Sequence, residues 1–447
     1  MIRSVRRMKI AIAGTGYVGL VTAVCLAEKG HEVVCVDVDE KKIGMMRKGK
    51  APIYEENLEE LMEKNVKNLT YTTNYKKAYA NAEVIFIGVG TPPKKDGSAN
   101  LKYIWSVVEN ILETVHHDCI VVIKSTVPID TNDKVEKYLQ EHTKNNINIH
   151  VVSNPEFLSQ GTAVHDTLNA SRIVIGANDK KVAEKMLDVY KNFDAPKIIT
   201  DRHSAEMIKY AANNFLALKV SYVNEIANLC EQIGANIDDV VRGIGFDSRI
   251  GNKFLKAGIG YGGSCFPKDT RALHWISAFY DKELKTIKAA IEVNEQQKLK
   301  LIKKAKKYYE SFSGLKIAVL GLTFKAGTDD LREAPSLDNI PIFLEDEASV
   351  YVYDPIGEDN LKKYYSSNEI IYCKDPQEAL KDADICFIFT EWEQIKNLSW
   401  NDFNLMAKPI ILDGRNCFRV EKMEKYPLVY ESIGRNVVNN LETAKKD

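Results

Sequence analysis

Residues 8–19 read MKIAIAGTGYVG, a short apolar run followed by three glycines at the spacing G-x-G-x-x-G. The run Met8–Ala13 predicts a buried strand, and Leu20–Lys29 predicts an apolar helix that Gly30 ends. A glycine turn between a strand and a helix lets a pyrophosphate lie against the helix N-terminus, where unpaired N–H groups and the positive end of the helix dipole point at it. The stretch therefore predicts a Rossmann-type unit that binds a dinucleotide.

A second strand supports this prediction. The apolar run His31–Val36 ends at Asp37, about 20 residues after the glycines, where a carboxylate can accept hydrogen bonds from a ribose diol. The same carboxylate would repel a 2′-phosphate, so NAD is favoured over NADP. The cofactor-binding residues predicted in this unit are Gly14, Gly16, Tyr17, Val18, Gly19 and Asp37.

An internal echo of this pattern lies in the C-terminal third of the chain. Leu315–Leu320 (LKIAVL) repeats the first strand, Gly321 begins a turn, and Val350–Asp354 (VYVYD) repeats the second strand with its terminal acid. Here Thr323-Phe324-Lys325 replaces the later glycines, so we do not expect a second complete dinucleotide. Its lysine instead suits an anionic or hydroxyl-rich ligand.

Further apolar runs complete two sheets. They are Val84–Val89, Ile120–Lys124, Ile149–Ser153 and Arg172–Ile175 in the first unit, and Asp384–Phe389 and Pro409–Leu412 in the second. Between the units, His203–Ile233 has apolar residues at helical spacing and no proline, which predicts one long helix. The predicted fold class is α/β, with two Rossmann-like doubly wound parallel-sheet domains joined by a long central helix and a helical middle domain.

A reactive thiol is the second chemical signal. In Gly260–Asp269 (GYGGSCFPKD), glycines surround Cys265, and Pro267 stands where a helix can begin. A thiol at a helix N-terminus beside Lys268 is expected to have a lowered pKa, and the thiolate is the nucleophilic form. The alternative is a buried structural cysteine. A nicotinamide site in the same chain favours the nucleophile, because a thiol can capture an aldehyde and a hydride can then leave to give a thioester.

Composition argues against several classes of partner. The 447 residues carry 61 basic and 62 acidic side chains without a long polybasic block, so nucleic acid is not expected. No apolar run reaches the roughly 20 residues of a membrane helix, and Met1–Arg7 does not read as a signal peptide, so no membrane partner is expected. The eight cysteines are scattered without a CxxC pair, so we expect no metal and a reducing cytoplasmic location.

Further motifs carry a family resemblance. They are Gly90-Thr91-Pro92, Lys124-Ser125-Thr126-Val127-Pro128, Asn154-Pro155-Glu156-Phe157-Leu158, Lys209-Tyr210-Ala211-Ala212-Asn213, Arg249-Ile250-Gly251 and Thr323-Phe324-Lys325. With the glycine turn and the cysteine loop, they make the chain resemble the UDP-glucose 6-dehydrogenase branch of the nucleotide-sugar dehydrogenases, from about residue 8 to about residue 415. The resemblance implies oxidation of UDP-glucose to UDP-glucuronate through a thioester, with two NAD⁺ per turnover.

The resemblance also implies a domain plan and an assembly. Residues 1–200 would form the NAD-binding domain, 201–310 a helical dimerisation domain with the cysteine loop, and 311–447 a nucleotide-sugar-binding Rossmann-like domain. Arg249 matches an arginine that reaches into a neighbouring subunit's site. We therefore expect a homodimer or higher homo-oligomer that takes a UDP-sugar as its small-molecule partner.

Catalytic roles follow from the matching positions. Cys265 would be the nucleophile, and Lys209 and Asn213, which share one helix face, would hydrogen-bond the oxygen that becomes an oxyanion. Asp269 and Thr126 match positions that orient a water and the lysine. Without the resemblance, a lysine and an asparagine one helical turn apart would be read as solvated surface.

Activation of water is assigned to Glu156, at the position of the family's carboxylate that acts on the thioester. Several family members carry a second glutamate four residues later, where this chain has Gln160. An amide cannot be a base, although it can hydrogen-bond cofactor or substrate. We therefore expect Glu156 alone to be the base.

The resemblance implies two wider sets of binding residues. Lys42 would face the adenosine end of the cofactor, Arg332 would reach the cofactor from the C-terminal unit, and Lys325 would meet a hydroxyl or phosphate of the substrate. The additional cofactor residues are Lys42, Thr91, Thr126, Gln160, Cys265, Lys268 and Arg332. The substrate residues are Glu156, Phe157, Leu158, Lys209, Asn213, Arg249, Phe254, Leu255, Lys256, Ala257, Gly258, Gly262, Phe324 and Lys325.

Other functions stay open at this stage. A redox-inactive NAD-binding protein would have lost the thiol and Lys209, and neither is lost. A single-step 3-hydroxyacyl or 6-phosphogluconate-type dehydrogenase needs neither the thiol nor a second Rossmann-like unit. Within the favoured class, a GDP-mannose or UDP-N-acetylhexosamine 6-dehydrogenase is the alternative.

Overall fold

The computed structural model describes residues 6–143, 147–366 and 368–441. The chain divides between Ala212 and Asn213 into two compact units. Each unit is built on one mostly parallel sheet. Within the described residues, no helix combines the length and the apolar character needed to cross a membrane. The three-domain plan at 1–200, 201–310 and 311–447 stays a prediction.

The first unit alternates strands and helices. Its strands are β1 (Lys9–Ala13), β2 (Glu32–Val36), β3 (Leu69–Thr72), β4 (Val84–Ile87), β5 (Cys119–Ile123), β6 (Ile149–Ser153), β7 (Ile173–Gly176) and β8 (Lys197–Thr200). Its helices are α1 (Tyr17–Glu28), α2 (Glu40–Arg47), α3 (Leu58–Lys64), α4 (Tyr75–Tyr79), α5 (Lys102–Thr114), α6 (Thr131–His142), α7 (Ala163–Leu168) and α8 (Lys180–Val189). Every strand predicted here is present, with ends that differ by at most two residues.

The strand order of this sheet is β3-β2-β1-β4-β5-β6-β7-β8. Neighbouring strands are parallel except β6 and β7, which pair antiparallel. The run predicted as Arg172–Ile175 is therefore a strand, but its carboxyl end points to the opposite edge from that of β6. The short strands β3 and β8 were not predicted from the sequence.

Both faces of this sheet are buried. In β1, Ile10 and Ile12 belong to one hydrophobic cluster with α1, and Ala11 and Ala13 belong to another with α5. Successive strand residues point to opposite faces, so a strand covered on both sides is apolar at every position. This explains why the inner strands of this sheet read as mainly apolar runs.

The predicted long helix is confirmed as α9 (Arg202–Ile233). The helices that follow it are α10 (Ile237–Gly245), α11 (Phe266–Phe279), α12 (Lys285–Lys298), α13 (Lys300–Ala305), α14 (Pro335–Glu345), α15 (Glu358–Leu361), α16 (Pro376–Leu380), α17 (Glu393–Lys396), α18 (Trp400–Phe403) and α19 (Val420–Met423). The strands of the second unit are β9 (Lys316–Leu320), β10 (Ser349–Tyr353), β11 (Ile371–Tyr372), β12 (Ile385–Ile388), β13 (Ile410–Asp413), β14 (Val429–Glu431) and β15 (Val438–Asn439).

The internal echo is a true structural repeat. The second sheet has the order β11-β10-β9-β12-β13-β14-β15, and only β14 and β15 pair antiparallel. Its β9 lies between β10 and β12, as β1 lies between β2 and β4 in the first sheet. The fold class predicted from the sequence, two Rossmann-like α/β sheets with a helical middle, is therefore confirmed.

The turn after β9 differs from its counterpart after β1. Helix α14 begins only at Pro335, and Asp354 at the end of β10 accepts hydrogen bonds from the backbone N–H groups of Leu322 (2.7 Å) and Thr323 (3.2 Å). The indole of Trp392 also donates to Asp354 at 2.9 Å. These hydrogen bonds fix the turn against β10, and the expectation that it does not hold a second dinucleotide stays a prediction.

Candidate active site

The glycine turn of the first unit is held by backbone packing. Gly14 has φ +92°, which favours glycine, and its N–H donates to the carbonyl of Val36 at 2.7 Å. A Cβ on Gly19 would lie 1.9 Å from the carbonyl oxygen of Gly14. Only glycine therefore lets α1 begin this close to β1.

The N-terminus of α1 is open. Gly16 is the N-cap, it makes no side-chain cap, and a Cβ there would meet nothing within 4 Å. The first N–H groups of a helix have no intrahelical acceptor, and the helix dipole makes this end positive. This arrangement fits the pyrophosphate of a dinucleotide, as predicted for Gly14, Gly16, Tyr17, Val18 and Gly19.

Asp37 lies just after β2 beside this turn. Its carboxylate accepts from the backbone N–H of Thr15 (2.9 Å), the Thr15 hydroxyl (2.6 Å) and the N–H of Asp39 (3.0 Å). Burial opposes ionisation, but these hydrogen bonds and the nearby Lys42 outweigh it and lower the pKa of Asp37. The carboxylate is therefore fixed and ionised where a ribose diol is expected. Lys42 lies near it, and its role at the adenosine end of the cofactor stays a prediction.

Two further predicted cofactor residues meet beyond the ends of β4 and β5. The hydroxyl of Thr91 donates to the carbonyl of Thr126 at 2.9 Å. Ser125 holds the same two segments together through a 2.6 Å hydrogen bond to the carbonyl of Val89. In a parallel sheet this edge, outside the carboxyl ends of the strands, is where ligands bind.

A buried ion pair joins the predicted base to the predicted oxyanion donor. The carboxylate of Glu156 lies 2.8 Å from the ammonium of Lys209 and also accepts the backbone N–H of Leu158 at 2.9 Å. The ring of Phe157 lies under the Arg172 guanidinium at 3.7 Å and 5.6 Å from the Lys209 ammonium. The motif Asn154–Leu158 and the helix residue Lys209, distant in sequence, thus form one cluster.

Two residues without a predicted role support this cluster. Lys124 donates to the side-chain oxygen of Asn154 at 3.0 Å and lies 3.4 Å from its backbone carbonyl. Glu55 accepts from the N–H groups of Gly161 (2.8 Å) and Ala163 (2.7 Å), so it holds the turn that carries Gln160. The family motifs contained Lys124, but their spacing gave it no function.

Cys265 is the N-cap of α11 and is partly exposed, and Pro267 lies in the first turn of that helix as predicted. One turn later, Asp269 is buried and accepts from the side chains of Asn213 (2.6 Å) and Lys268 (2.5 Å). Four of the predicted site residues therefore lie together in the second unit. The structure links Asp269 to Asn213 directly.

The cysteine loop is held by amide side chains that the sequence analysis missed. Asn294 of α12 accepts the N–H of Tyr261 at 2.8 Å and donates to its carbonyl at 3.0 Å. Gln297 donates to the carbonyl of Gly258 at 2.7 Å, and Asn224 accepts the Gly258 N–H at 2.9 Å. A signal was present, because Asn294 and Gln297 stand at helical spacing after buried Ile287 and Ala290.

Arg415 is a second missed residue. Its guanidinium donates to the carbonyls of Gly260 (3.2 Å), Phe324 (2.8 Å) and, through Nε, Phe389 (2.8 Å). It therefore joins the cysteine loop to the turn after β9. A Cβ on Gly262 would lie 2.3 Å from the carbonyl of Glu333, so this predicted substrate residue must be glycine for the loop to pack there.

The remaining predicted binding residues make local contacts of their own. The Arg249 side chain is 87% exposed and pairs with Asp247. Arg332 pairs with Asp330 at 2.7 Å, and the Lys325 ammonium lies 5.6 Å from the Phe324 ring centroid. In the Phe254–Gly258 segment, Phe254 has φ +62°, Leu255, Ala257 and Gly258 are buried, and Lys256 lies 3.8 Å from Glu391.

Comparison with known proteins identifies the family. Models of the UDP-glucose/GDP-mannose dehydrogenase family match the chain over residues 8–194 (NAD-binding domain), 203–296 (central domain) and 318–420 (UDP-binding domain). The chain belongs to the UDP-glucose/GDP-mannose dehydrogenase family. It is therefore an NAD-dependent oxidoreductase, and the open N-terminus of α1 with Asp37 fits that cofactor.

Individual relatives in this family are similar over nearly the whole chain. The UDP-glucose 6-dehydrogenase YwqF of Bacillus subtilis is 46% identical over 434 residues, which cover 96% of this chain and 98% of that protein. The structure of a UDP-glucose dehydrogenase from Pyrobaculum islandicum is 35% identical with a TM-score of 0.89, covering 94% and 97% of the two chains. A UDP-D-ManNAc dehydrogenase from Pyrococcus horikoshii is 26% identical with a TM-score of 0.84, covering 96% and 99%.

Replacing Asp37 tests the cofactor site. Asp37→Ala should raise the KM for NAD⁺ roughly ten- to hundred-fold, because a hydrogen bond to a charged group is worth about 1.5–3 kcal/mol, and it should narrow the preference for NAD⁺ over NADP⁺. Initial rates with both cofactors measure this. Asp39→Asn, which changes the neighbouring acid at the start of α2, is the control and should keep the NAD⁺ preference. Unchanged cofactor constants in Asp37→Ala would place the adenine ribose elsewhere.

Proposed function

We propose that this chain oxidises UDP-glucose to UDP-glucuronate with two NAD⁺ per turnover and Cys265 as covalent nucleophile. The observation that carries the proposal is Cys265 at the N-cap of α11, in a family whose NAD-binding domain model also matches this chain. A thiol is not needed for oxidising an alcohol to an aldehyde. It is useful for oxidising the aldehyde further, because a thiohemiacetal can lose a hydride and a free carbonyl carbon cannot.

The first oxidation converts the primary alcohol to an aldehyde. The substrate carbon loses a hydride and its hydroxyl loses a proton. NAD⁺, when bound, supplies the hydride acceptor for both oxidations. Lys209 and Asn213, which can both donate hydrogen bonds, hold the substrate oxygen as its charge changes, and they do so again when that oxygen becomes an oxyanion.

The second oxidation takes place on Cys265. Its thiolate adds to the aldehyde carbon and forms a C–S bond, and the carbonyl oxygen becomes the oxygen of the thiohemiacetal. Loss of a second hydride from the same carbon restores a C=O bond and gives a thioester. Lys268 beside Cys265 and the N-terminus of α11 both favour the thiolate in this proposal.

Hydrolysis completes the reaction. Glu156 accepts a proton from water, the resulting hydroxide attacks the thioester carbon, and the C–S bond breaks to return the thiolate. One alcohol, two NAD⁺ and one water thus give one carboxylate, two NADH and three protons. The Glu156–Lys209 contact of 2.8 Å supports this role, because it holds the carboxylate beside the residue proposed to bind the reacting oxygen.

UDP-glucose is the preferred substrate because the relative with 46% identity carries that activity in its name. A UDP-N-acetylhexosamine or GDP-mannose is the alternative. The similarity to the Pyrococcus horikoshii UDP-D-ManNAc dehydrogenase, with a TM-score of 0.84, supports testing a UDP-N-acetylhexosamine as an alternative substrate. The predicted substrate residues at 254–258, with Gly262, Phe324 and Lys325, would hold the sugar nucleotide.

We also propose a homodimer in the cytoplasm, with α9 in the dimer interface. Four large apolar side chains, Phe215, Tyr222, Leu229 and Ile233, recur along this helix at spacings of seven, seven and four. Their exposure is high, with Phe215 at 62% and Ile233 at 67%. Such a stripe costs free energy in water and matches a second copy of itself around a two-fold axis. Arg249, also exposed, would then reach the partner's site.

A panel of nucleotide sugars tests the substrate and the stoichiometry. UDP-glucose should give the highest kcat/KM among UDP-glucose, UDP-N-acetylglucosamine, UDP-N-acetylmannosamine and GDP-mannose. Two NADH should form per acid, since the aldehyde stays on the enzyme. Absorbance of NADH and chromatography of the product measure both. One NADH per turnover with free aldehyde released would contradict the four-electron reaction.

Replacing Glu156 should separate oxidation from hydrolysis. Glu156→Gln should form two NADH per site in a burst and then turn over at least a hundred-fold more slowly, because general-base catalysis contributes about 10²–10⁴-fold. Intact-protein mass spectrometry should find the sugar nucleotide on Cys265, and hydroxylamine should remove it. Cys265→Ser is the control and should show neither the burst nor the adduct. Normal turnover of Glu156→Gln, or an adduct that accumulates only in Asp269→Asn, would move the base elsewhere.

Replacing one residue of the apolar stripe tests the assembly. Wild-type protein should sediment as at least a dimer at micromolar concentration, and Leu229→Glu should weaken association at least ten-fold, because it places a charge in an apolar contact. Leu405→Glu is the matched control, since Leu405 is also exposed, at 42%, but lies outside α9. A fully active wild-type monomer would refute the proposal.

A further inference from the structure

We propose that Lys124 is a positioning residue for thioester hydrolysis, which fixes the Asn154–Glu156 segment and thereby the place of the Glu156 carboxylate. The inference rests on the proposed role of Glu156 as the base. Lys124 follows β5 directly, and Asn154 follows the neighbouring strand β6. The lysine thus lies at the same sheet edge as the segment it holds.

Lys124 is tied to this segment by hydrogen bonds. Its ammonium lies 3.0 Å from the side-chain oxygen of Asn154 and 3.4 Å from its backbone carbonyl. Asn154 is anchored in turn, because its amide donates to the carbonyl of Val174 at 2.7 Å and its side-chain oxygen accepts the Tyr190 hydroxyl. Only Pro155, which is rigid, separates Asn154 from Glu156. Lys124 therefore helps to fix the backbone from which the Glu156 side chain extends.

Lys124 also lies near the ion pair of Glu156 and Lys209. The titratable groups that face it are Glu156, Lys209, Cys25 and Tyr190. Burial raises the pKa of the Cys25 thiol to about 12 and that of Tyr190 above its usual range, so both stay neutral near pH 7. Tyr190 therefore keeps its proton and remains a hydrogen-bond donor to Asn154.

Burying the Lys124 ammonium costs free energy, so stability alone does not explain a lysine at this position. Burial lowers the pKa of Lys124 to about 8, against the opposing charge of Glu156 and with the help of Lys209. A side chain kept only for stability would be better replaced by an apolar one of the same length. Its neighbour Asn154 would not be left unpaired, because Tyr190 still donates to it. Lys124→Met should therefore fold.

The expected effect follows from the lost contacts. Without the Lys124 ammonium, the side-chain oxygen and the backbone carbonyl of Asn154 each lose a contact, and the segment that carries Glu156 is held less firmly. A less well placed base slows hydrolysis and does not change how substrate binds. Lys124→Arg keeps a hydrogen-bond donor at this place and should retain most of the activity.

The experiment compares Lys124→Met, Lys124→Arg and Lys197→Met. Lys197 is the matched control, because it is a half-buried lysine of the same unit that donates to a backbone carbonyl, that of Phe193. The readouts are the melting temperature and kcat and KM for UDP-glucose. Lys124→Met should lower kcat at least ten-fold, leave KM within threefold and leave the melting temperature unchanged or higher.

The covalent intermediate separates this inference from the proposed function. Intact-protein mass spectrometry during turnover follows the sugar-nucleotide adduct on Cys265. Lys124→Met should accumulate this adduct, as Glu156→Gln does, whereas Lys124→Arg and Lys197→Met should not. An adduct in Glu156→Gln but none in Lys124→Met, or a loss of kcat that only follows a lowered melting temperature, would overturn the role of Lys124. No adduct in either variant would contradict the proposed function instead.

Discussion

Contact between three glycine backbones is the constraint on which the first unit depends. Gly14, Gly19 and Gly88 lie so close that a Cβ on any of them would come within 3 Å of a neighbouring backbone atom. This contact brings the start of α1 against the ends of β1 and β4, and it aims the N-terminus of the helix over the sheet edge. Cofactor binding by this unit therefore follows from the absence of side chains at three positions.

The two sheets show how one topology can be used in two ways. In both, an acid just after the second strand accepts a backbone N–H of the turn, Asp37 from Thr15 and Asp354 from Leu322. In the first sheet the helix begins soon after β1, at Tyr17, whereas in the second the next helix begins much later, at Pro335. The difference lies in the length of the turn and not in the strand order.

The sequence predicted the elements whose cause is local and missed those whose cause is distant. Central strands are apolar at every position because both faces are covered, so they were found, whereas the short edge strands β3 and β8 carry polar residues and were not. The direction of β7 could not be read, because its residues alternate in the same way in either direction. Arg415 and Gly260 are separated by 155 residues, and no local pattern can indicate such a contact. Cys265, Glu156 and Asp37 were recognisable because motifs surround them.

The support of the cysteine loop by α12 has a consequence for how this part of the chain can evolve. Asn294 pairs with both polar groups of the Tyr261 backbone, as a neighbouring strand would, so the loop needs no regular structure of its own. A loop that is held by side chains of another element can change its own sequence freely wherever only its backbone is used. It cannot easily change its length, because one inserted residue would move Tyr261 off its amide partner. We therefore expect substrate preference in this region to diverge through substitutions. Insertions and deletions should be confined to segments that the amide side chains of Asn294, Gln297 and Asn224 do not hold.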